Sequence, residues 1–580
     1  MTKLQNALLA ATLVTMSLHA SPASAQTQAD PEGASGYAIK PLASAQSEMI
    51  VAANPHASRA GADILARGGS AADAAIAAFL VLNVVEPQSS GIGGGAFAVV
   101  ATPDSITSWD ARETAPAAAA PDMFLGADRE PLPFFDAVLS GRSIGVPGSV
   151  RLLEALHQRH GKLPWADLFA PAIGLASDGF EVSERLSGLL SQYRSRIDGT
   201  DVADAFIPGG GPLSTGSVLV QTELAGTLER IATDGADAFY RGVIANQIVT
   251  AVGEDPRPGT MTPSDLERYE IVERPAVCHP FSGHVVCGMG PPSSGATTVG
   301  QILMLLDRFK PDELRIDDPQ IWHLFAEASR LAYADRGRYL ADSDFVDVPV
   351  KGLLDKTYIA QRAALIAPTG ASEGKAVAGE PPWREGRVWA PDTQVDRPGT
   401  THLSVIDADG LAISLTASIE TAFGSQRMAG GFILNNQLTD FSFRPDRGGT
   451  PIANAVAAGK RPRSSMAPTI VLRSGKPVIL TGSPGGSRIP EYVAQSLVAM
   501  IRFGADPALA AALPHVSHRN RDAVAIEPET PQAIKDGLRA RGHQIEERAM
   551  TSGLHIIRVM PDGSLQGGAD PRREGIALGR

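Results

Sequence analysis

The sharpest constraint in this chain is a change of pattern at position 400. Residues 366–399 are rich in Gly, Ala, Pro and charge, show little periodicity and end in Asp396-Arg397-Pro398-Gly399. Such composition reads as an exposed, mobile segment, suited to a domain linker or to a chain break. From Thr400 the chain alternates. Residues 401–406 and 411–419 read as two strands joined at Ala408-Asp409-Gly410, and Asp-Gly is a strong hairpin signal. With Asp407 facing Leu411, the residues Thr401, Leu403 and Val405 face Ala417, Leu415 and Ile413 as a mostly apolar set. The other face holds Thr400, His402 and Ser404 against Ser418, Thr416 and Ser414. A one-residue slip would set Thr400 against Ile419 and Leu403 against Thr416, a mismatch that alternation penalises when one face is buried. Thr400 and Ser418 are thus expected as cross-strand neighbours on a polar face, with Glu420 two residues further along it.

A threonine hydroxyl is a poor nucleophile at neutral pH and needs a base. A cut before Thr400 would supply one, because an α-amine has a pKa of about 7.7–8.0. One residue would then carry both nucleophile and base. Gly399 has no side chain to obstruct attack on its own carbonyl. Taken alone, Gly399-Thr400-Thr401 reads equally as an ordinary strand start; the segments on either side give it weight.

A second constellation is Thr481-Gly482-Ser483-Pro484-Gly485-Gly486-Ser487-Arg488, after strand-like residues 469–472 and 478–480. Consecutive glycines let backbone N–H groups converge on a small anion, as an oxyanion hole requires. A plain glycine turn is the alternative, and the Lys-Ser/Thr of a phosphate-binding loop is missing. Gly91-Ile92-Gly93-Gly94-Gly95-Ala96 formally fits a dinucleotide pattern, but a helix precedes it and a strand follows, the wrong order for such a site. Tight packing near a core helix is the simpler reading. His515 and His518 lack accompanying carboxylates or cysteines, so a metal is not expected, nor any other cofactor.

The N-terminus runs from Lys3 through an apolar stretch, 7–18, to Ser21-Pro22-Ala23-Ser24-Ala25. That order is expected of a secretory signal over residues 1–25; an uncleaved membrane anchor is the alternative, and the apolar stretch is about half the ~20 residues of a spanning helix. A secreted or periplasmic protein with no membrane attachment after signal removal is expected. The formal net charge of −12 disfavours nucleic acid as a partner. The two cysteines, Cys278 and Cys287, flank a turn at Pro280-Phe281-Ser282-Gly283. They could bridge facing strands or remain two buried thiols. Helices are expected over 57–86 as a pair, with Ser70 capping the second and Pro87 stopping it, and over 149–158, 224–233 and 322–335. Strands are expected at 97–100 and 106–109.

Further stretches complete the picture: Gly68-Gly69-Ser70-Ala71-Ala72-Asp73, Glu86-Pro87-Gln88-Ser89-Ser90-Gly91, Arg112-Glu113-Thr114-Ala115-Pro116, Gly145-Val146-Pro147-Gly148 and Pro291-Pro292-Ser293-Ser294-Gly295. More specific are Thr400-Thr401-His402, Phe423-Gly424-Ser425, Leu434-Asn435-Asn436-Gln437 with Asp440-Phe441-Ser442, Lys460 to Met466, and Gly482 to Arg488. Together they resemble the gamma-glutamyltransferase (glutathione hydrolase) family over nearly the whole chain after residue 25. The resemblance implies an α+β fold, the αββα four-layer sandwich of N-terminal nucleophile hydrolases. It implies autocleavage into a large subunit, 26–399, and a small subunit, 400–580, held as a heterodimer. It also implies γ-glutamyl transfer through an ester on Thr400 to water or an amine. Ser418 would bond near the Thr400 hydroxyl or amine, and Gly485 and Gly486 would hold the oxyanion. Arg112, Ser464 and Ser465 would take the substrate α-carboxylate, and Asp440, Glu420 and Gln437 its α-ammonium. Several family members have Thr in place of Ser418 and Asn in place of Glu420. The stretch 443–460 is shorter than the lid of some members and lacks its tyrosine, which predicts a more open site. Cephalosporin or glutaryl acylases share this framework and are the first alternative; a non-catalytic binding paralogue is the second.

Overall fold

The computed structural model describes residues 36–211, 213–309, 314–382, 388–392 and 399–580. The secretory signal and parts of the segment before Thr400 lie outside the described residues. Two seven-stranded antiparallel sheets organise the chain. In the first, the strands run in the order Ile576–Gly579, Met49–Ala52, Thr400–Ile406, Ala412–Ser418, Gly95–Ala101, Ile106–Ala111 and Val272–Pro275. In the second, the order is Ala43–Ala45, Leu565–Ala569, His555–Val559, Lys476–Thr481, Thr469–Arg473, His284–Gly288 and Val277–Phe281.

The hairpin register is the one expected: Thr400 pairs with Ser418, Leu403 with Leu415 and Val405 with Ile413. Asp407 fixes the turn, its Oδ1 accepting from the amides of Asp409 and Leu411 at 3.0 Å each. Its Oδ2 accepts from the Ala71 amide at 2.8 Å, tying the turn to the start of a core helix.

The apolar hairpin face (Leu403, Val405, Ile413, Leu415, Ala417) packs beneath the Ala71–Val85 helix, every residue of which is buried. Ser70 caps that helix in a full capping box with Asp73. Asp73 has a second role, its carboxylate also accepting from the Lys162 and Leu163 amides. The helix before it is Pro55–Ala66, so the pair expected at 57–86 forms, and the chain leaves the second helix at Glu86, just before Pro87. Helices Ser149–His160, Thr222–Asp234 and Pro319–Tyr339 contain the other expected segments.

Between the sheets, Met49, Val51, Val99, Ile406 and Ala412 meet Ile470, Leu480, Ile557 and Leu565. On the outer face of the second sheet, Val471, Ile479 and Ile556 pack against helices Gly295–Leu306, Pro319–Tyr339 and Ile489–Phe503. The layers are therefore helix, sheet, sheet, helix. Cys278 and Cys287 sit opposite each other on paired strands and form a disulfide.

The Gly91–Gly95 run is a packing device. An added Cβ at Gly91 would lie 2.2 Å from Asn83 of the core helix, and one at Gly94 would lie 2.2 Å from the Ser418 carbonyl oxygen. Close approach to the core helix at Gly91 and to the hairpin at Gly94 accounts for these glycines.

Candidate active site

The polar hairpin face looks into the space between the sheets, where the second sheet answers it. Ser404 Oγ donates to the His555 carbonyl at 2.8 Å, and Ser414 Oγ donates to that of Thr481 at 3.0 Å. The His402 ring hydrogen-bonds Thr416 and Ser404 and lies flat against Gly482, where a Cβ would come within 2.3 Å of it. Burial holds this imidazole well below the usual histidine range, so it is neutral. The glycine loop is thereby anchored over the same face that carries Thr400.

At the open end of that face stand Thr400 and Ser418. Ser418 Oγ donates to the Gly399 carbonyl oxygen at 2.8 Å and accepts from the Glu420 amide at 2.9 Å. The Thr400 hydroxyl lies 3.4 Å from Ser418 Oγ. Ser418 therefore polarises the carbonyl of the peptide just before Thr400. Gly399 is packed so closely that a Cβ would fall 1.9 Å from the Glu420 carbonyl oxygen, so no other residue fits here without backbone movement.

Glu420 is buried and sits at φ +82°, an uncommon conformation for a non-glycine residue. Asn436 donates to its carboxylate at 2.9 Å and also accepts from the Thr421 amide and hydroxyl. Next to Asn436, the Gln437–Asp440 turn aims two side chains together, Gln437 Nε2 donating to Asp440 Oδ2 at 2.8 Å. The same oxygen accepts from Arg112 at 2.5 Å. Arg112 stands directly after the Ile106–Ala111 strand and is 1% exposed. Its remaining donors reach the carbonyls of Pro462 and Arg463 at 3.2 and 3.0 Å, which places Ser464 and Ser465 beside it in the chain. Arg336 donates to Ser465 Oγ at 2.6 Å and to Ser294 Oγ at 2.9 Å.

Gly485 and Gly486 adopt φ of +134° and +56° and lead through the Gly486–Arg488 turn into the Ile489–Phe503 helix. A Cβ at Gly485 would meet the Tyr492 ring at 2.5 Å. The two amides thus lie at a helix N-terminus, where the backbone favours negative charge.

Three features escape sequence reasoning. Asn436 couples Glu420 to the Asp440 turn, Arg336 holds Ser465 from a distant helix, and Glu113 lies fully buried with its carboxylate 3.8 Å from Arg112. Burial pushes Glu113 up to about 8, with Arg112 pulling the other way. Of the three, Glu113 and Asn436 have local signals, their places next to Arg112 and Gln437. His515, by contrast, is a core residue bonded to Ser552.

The short 443–460 stretch forms a small hairpin, Asp446–Arg447 with Thr450–Pro451, turning at exposed Gly448-Gly449. The site beneath is nonetheless closed, with Thr400, Glu420 and Asp440 at 3%, 2% and 3% exposure. This departs from the open site expected of a short lid. The reason is local: Gly399 is packed under residues 420–421, and Asn454 ties the Asp440 carbonyl to the Asp392 carboxylate.

Comparison with known proteins agrees with this architecture. Residues 57–580 match the Gamma-glutamyltranspeptidase family. The glutathione hydrolase proenzyme of Bacillus subtilis (strain 168) is 38% identical over 544 residues, covering 92% of this chain and 91% of that one. The crystal structure of cephalosporin acylase from Bacillus halodurans superposes with a TM-score of 0.82 at 27% identity, covering 93% of this chain and 97% of the other. A Helicobacter pylori gamma-glutamyltranspeptidase chain superposes with a TM-score of 0.55 at 34% identity, covering 57% of this chain and 96% of its own length. With its stacked sheets, its Thr400 hairpin and a match that runs to the last residue, this chain belongs to the gamma-glutamyltranspeptidase family of N-terminal nucleophile hydrolases.

Proposed function

We propose that this chain is exported, cuts itself before Thr400 and then transfers γ-glutamyl groups from glutathione-like amides to water or to an amine. In processing, Thr400 Oγ attacks the Gly399 carbonyl carbon while the Ser418 hydroxyl stabilises the oxygen. The peptide C–N bond breaks, leaving Gly399 as an ester on Thr400 Oγ with a free Thr400 amine. Water hydrolyses the ester, releasing the Gly399 carboxylate and restoring the hydroxyl. The large subunit is 26–399 and the small subunit 400–580. The proenzyme name of the Bacillus subtilis relative and the partial cover by the Helicobacter pylori chain support this division. The 1–25 segment supports export to the periplasm or beyond; among the described residues no helix is long and apolar enough to cross a membrane.

In turnover, the Thr400 amine takes the hydroxyl proton as the hydroxyl attacks the γ-carbonyl. Ser418 keeps its place beside the nucleophile. Gly485 and Gly486 receive the oxyanion, where aligned donors contribute most. The leaving amine departs with a proton from the Thr400 amine, and water or an acceptor amine then cleaves the ester.

The observation that carries the choice of substrate is the pair of buried carboxylates, Glu420 and Asp440, linked through Asn436 and Gln437 beside Arg112. A γ-glutamyl group brings an α-carboxylate and an α-ammonium. Arg112, with Ser464 and Ser465, takes the first, and Asp440, Glu420 and Gln437 take the second. The Arg112–Asp440 pair present without substrate is thereby exchanged for two new pairs, so neither charge is left buried alone. A glutaryl group has no ammonium; its own carboxylate would compete with Asp440 for Arg112 and add a buried negative charge with no new cation, at a cost in desolvation. The likeness to the cephalosporin acylase keeps glutaryl-type amides as the second reading. Comparison of kcat/KM on γ-glutamyl and glutaryl anilides decides between them. Faster γ-glutamyl turnover is expected, and faster glutaryl turnover would overturn the reading.

A further inference from the structure

Residues 388–392, upstream of the Gly399–Thr400 bond, form a strap beside the pocket that holds Arg112 and Asp440. Three contacts pin it, and none of the three involves that bond. Trp389 packs against the cluster of Tyr339, Leu340, Leu353 and Tyr358. Ala390 makes a parallel bridge with Ile452, its amide donating to the Pro451 carbonyl at 2.9 Å. The Asp392 amide donates to the Gly337 carbonyl at 2.8 Å. Residues 393–398 separate the strap from Gly399 in the chain.

The strap ends in a buried charge pair. The Asp392 carboxylate lies 3.0 Å from the Arg463 guanidinium, and the two side chains are 2% and 1% exposed. The same carboxylate oxygen accepts from Asn454 Nδ2 at 3.0 Å. Both partners lead into the pocket. Asn454 Nδ2 also donates to the Asp440 carbonyl at 2.7 Å, and its Oδ1 accepts from the Arg463 amide at 2.9 Å. The Arg463 carbonyl accepts from Arg112 at 3.0 Å, and Ser464 and Ser465 follow it in the chain. Lys460 braces Asn454 by donating to the carbonyls of Ala453 and Ala455, at 2.6 and 2.9 Å. One carboxylate thus joins the Asp440 turn to the wall formed by Arg112 and Ser464-Ser465. A pair buried this deeply resists separation, because withdrawing one charge leaves the other in a dry interior.

The geometry points to Asp392 as a positioning residue for the γ-glutamyl pocket, one that stays bound to Arg463 and Asn454 after the cut and is thus lent to the small subunit by the large one. It acts through those two residues, fixing the distance between Arg112, which takes the α-carboxylate, and Asp440, which takes the α-ammonium. The assignment rests on the γ-glutamyl reading for the identity of the head group and on cleavage before Thr400 for the division into subunits. The C-terminal arm of the large subunit thereby remains part of the site from which it was cut.

Two measurements on the processed enzyme test this. The first is hydrogen exchange of the wild type. The Ala390 and Asp392 amides are expected to stay protected, because their acceptors on Pro451 and Gly337 are untouched by the cut. Rapid exchange across 388–392 would overturn the assignment, whatever any variant does. The second is steady-state kinetics on γ-glutamyl-4-nitroanilide. Asp392→Asn keeps the shape of the side chain and removes its charge. It is expected to raise KM by roughly tenfold, the scale of a small misplacement of recognition groups, with kcat held within about twofold. Arg463→Met should do the same, and the double variant should be no worse than either alone, because each removes the same interaction. A fall in kcat at unchanged KM, unchanged kinetics, or additive losses in the double variant would overturn the assignment. The same set is run on glutaryl-4-nitroanilide. If the wild type turns over only that donor, the γ-glutamyl reading fails, and the split between KM and kcat on that donor still decides for or against Asp392.

Discussion

At the scale of single residues, the structure turns on contacts too close to admit substitution. Gly399 lies where a Cβ would overlap the Glu420 carbonyl oxygen at 1.9 Å. Gly399→Ala is therefore expected to displace the peptide before Thr400 and abolish processing, leaving one band on a denaturing gel. Ser418→Ala removes the hydroxyl that donates to the Gly399 carbonyl. Loss of one such donor costs about 10²–10³ in rate, so a time course of chain cleavage should slow by roughly that factor. Glu113 gives a pH signature. Its folded pKa is raised to about 8, above an unfolded value of about 4.3. The folded state thus holds an extra proton between those values, and stability is lost as pH rises through that window. Glu113→Gln should flatten the dependence of Tm on pH between about 5 and 8, measured by thermal unfolding.

At the scale of elements, the Ala71–Val85 helix supports the apolar back of the Thr400 hairpin, and its cap is open to test. Ser70→Ala removes one half of the capping box and is expected to cost about 1 kcal/mol in denaturant unfolding. This helix and the hairpin are also where sequence reasoning reached furthest. Periodicity fixed the hairpin register because one face is apolar and the other polar, so a slip would bury the wrong set. Ser70, Pro87 and the Asp-Gly turn are local signals and needed no tertiary information. What stayed illegible depends on distant packing. Cys278 and Cys287 could bridge or not until the two strands were seen to pair them. Arg336 reaches Ser465 across 129 residues of chain, and no local pattern announces that. The closed site was also unforeseen, because the short lid could be counted in the sequence but the packing of Gly399 under residues 420–421 could not.

At the scale of the whole molecule, both sheets are woven from the two sides of the Gly399–Thr400 bond. The Thr400–Ile406 and Ala412–Ser418 strands lie between Met49–Ala52 and Gly95–Ala101, and Thr469–Arg473 pairs with His284–Gly288. Cleavage there would open a terminus at the end of an interior strand without removing a strand from either sheet. The two fragments should co-elute in gel filtration and part only in denaturant. The most direct measurement of the central claim is N-terminal sequencing, with intact mass, of the active mature protein. A chain beginning at Thr400 is expected beside a larger one ending at Gly399. Full activity in a polypeptide still joined across that bond would contradict the account.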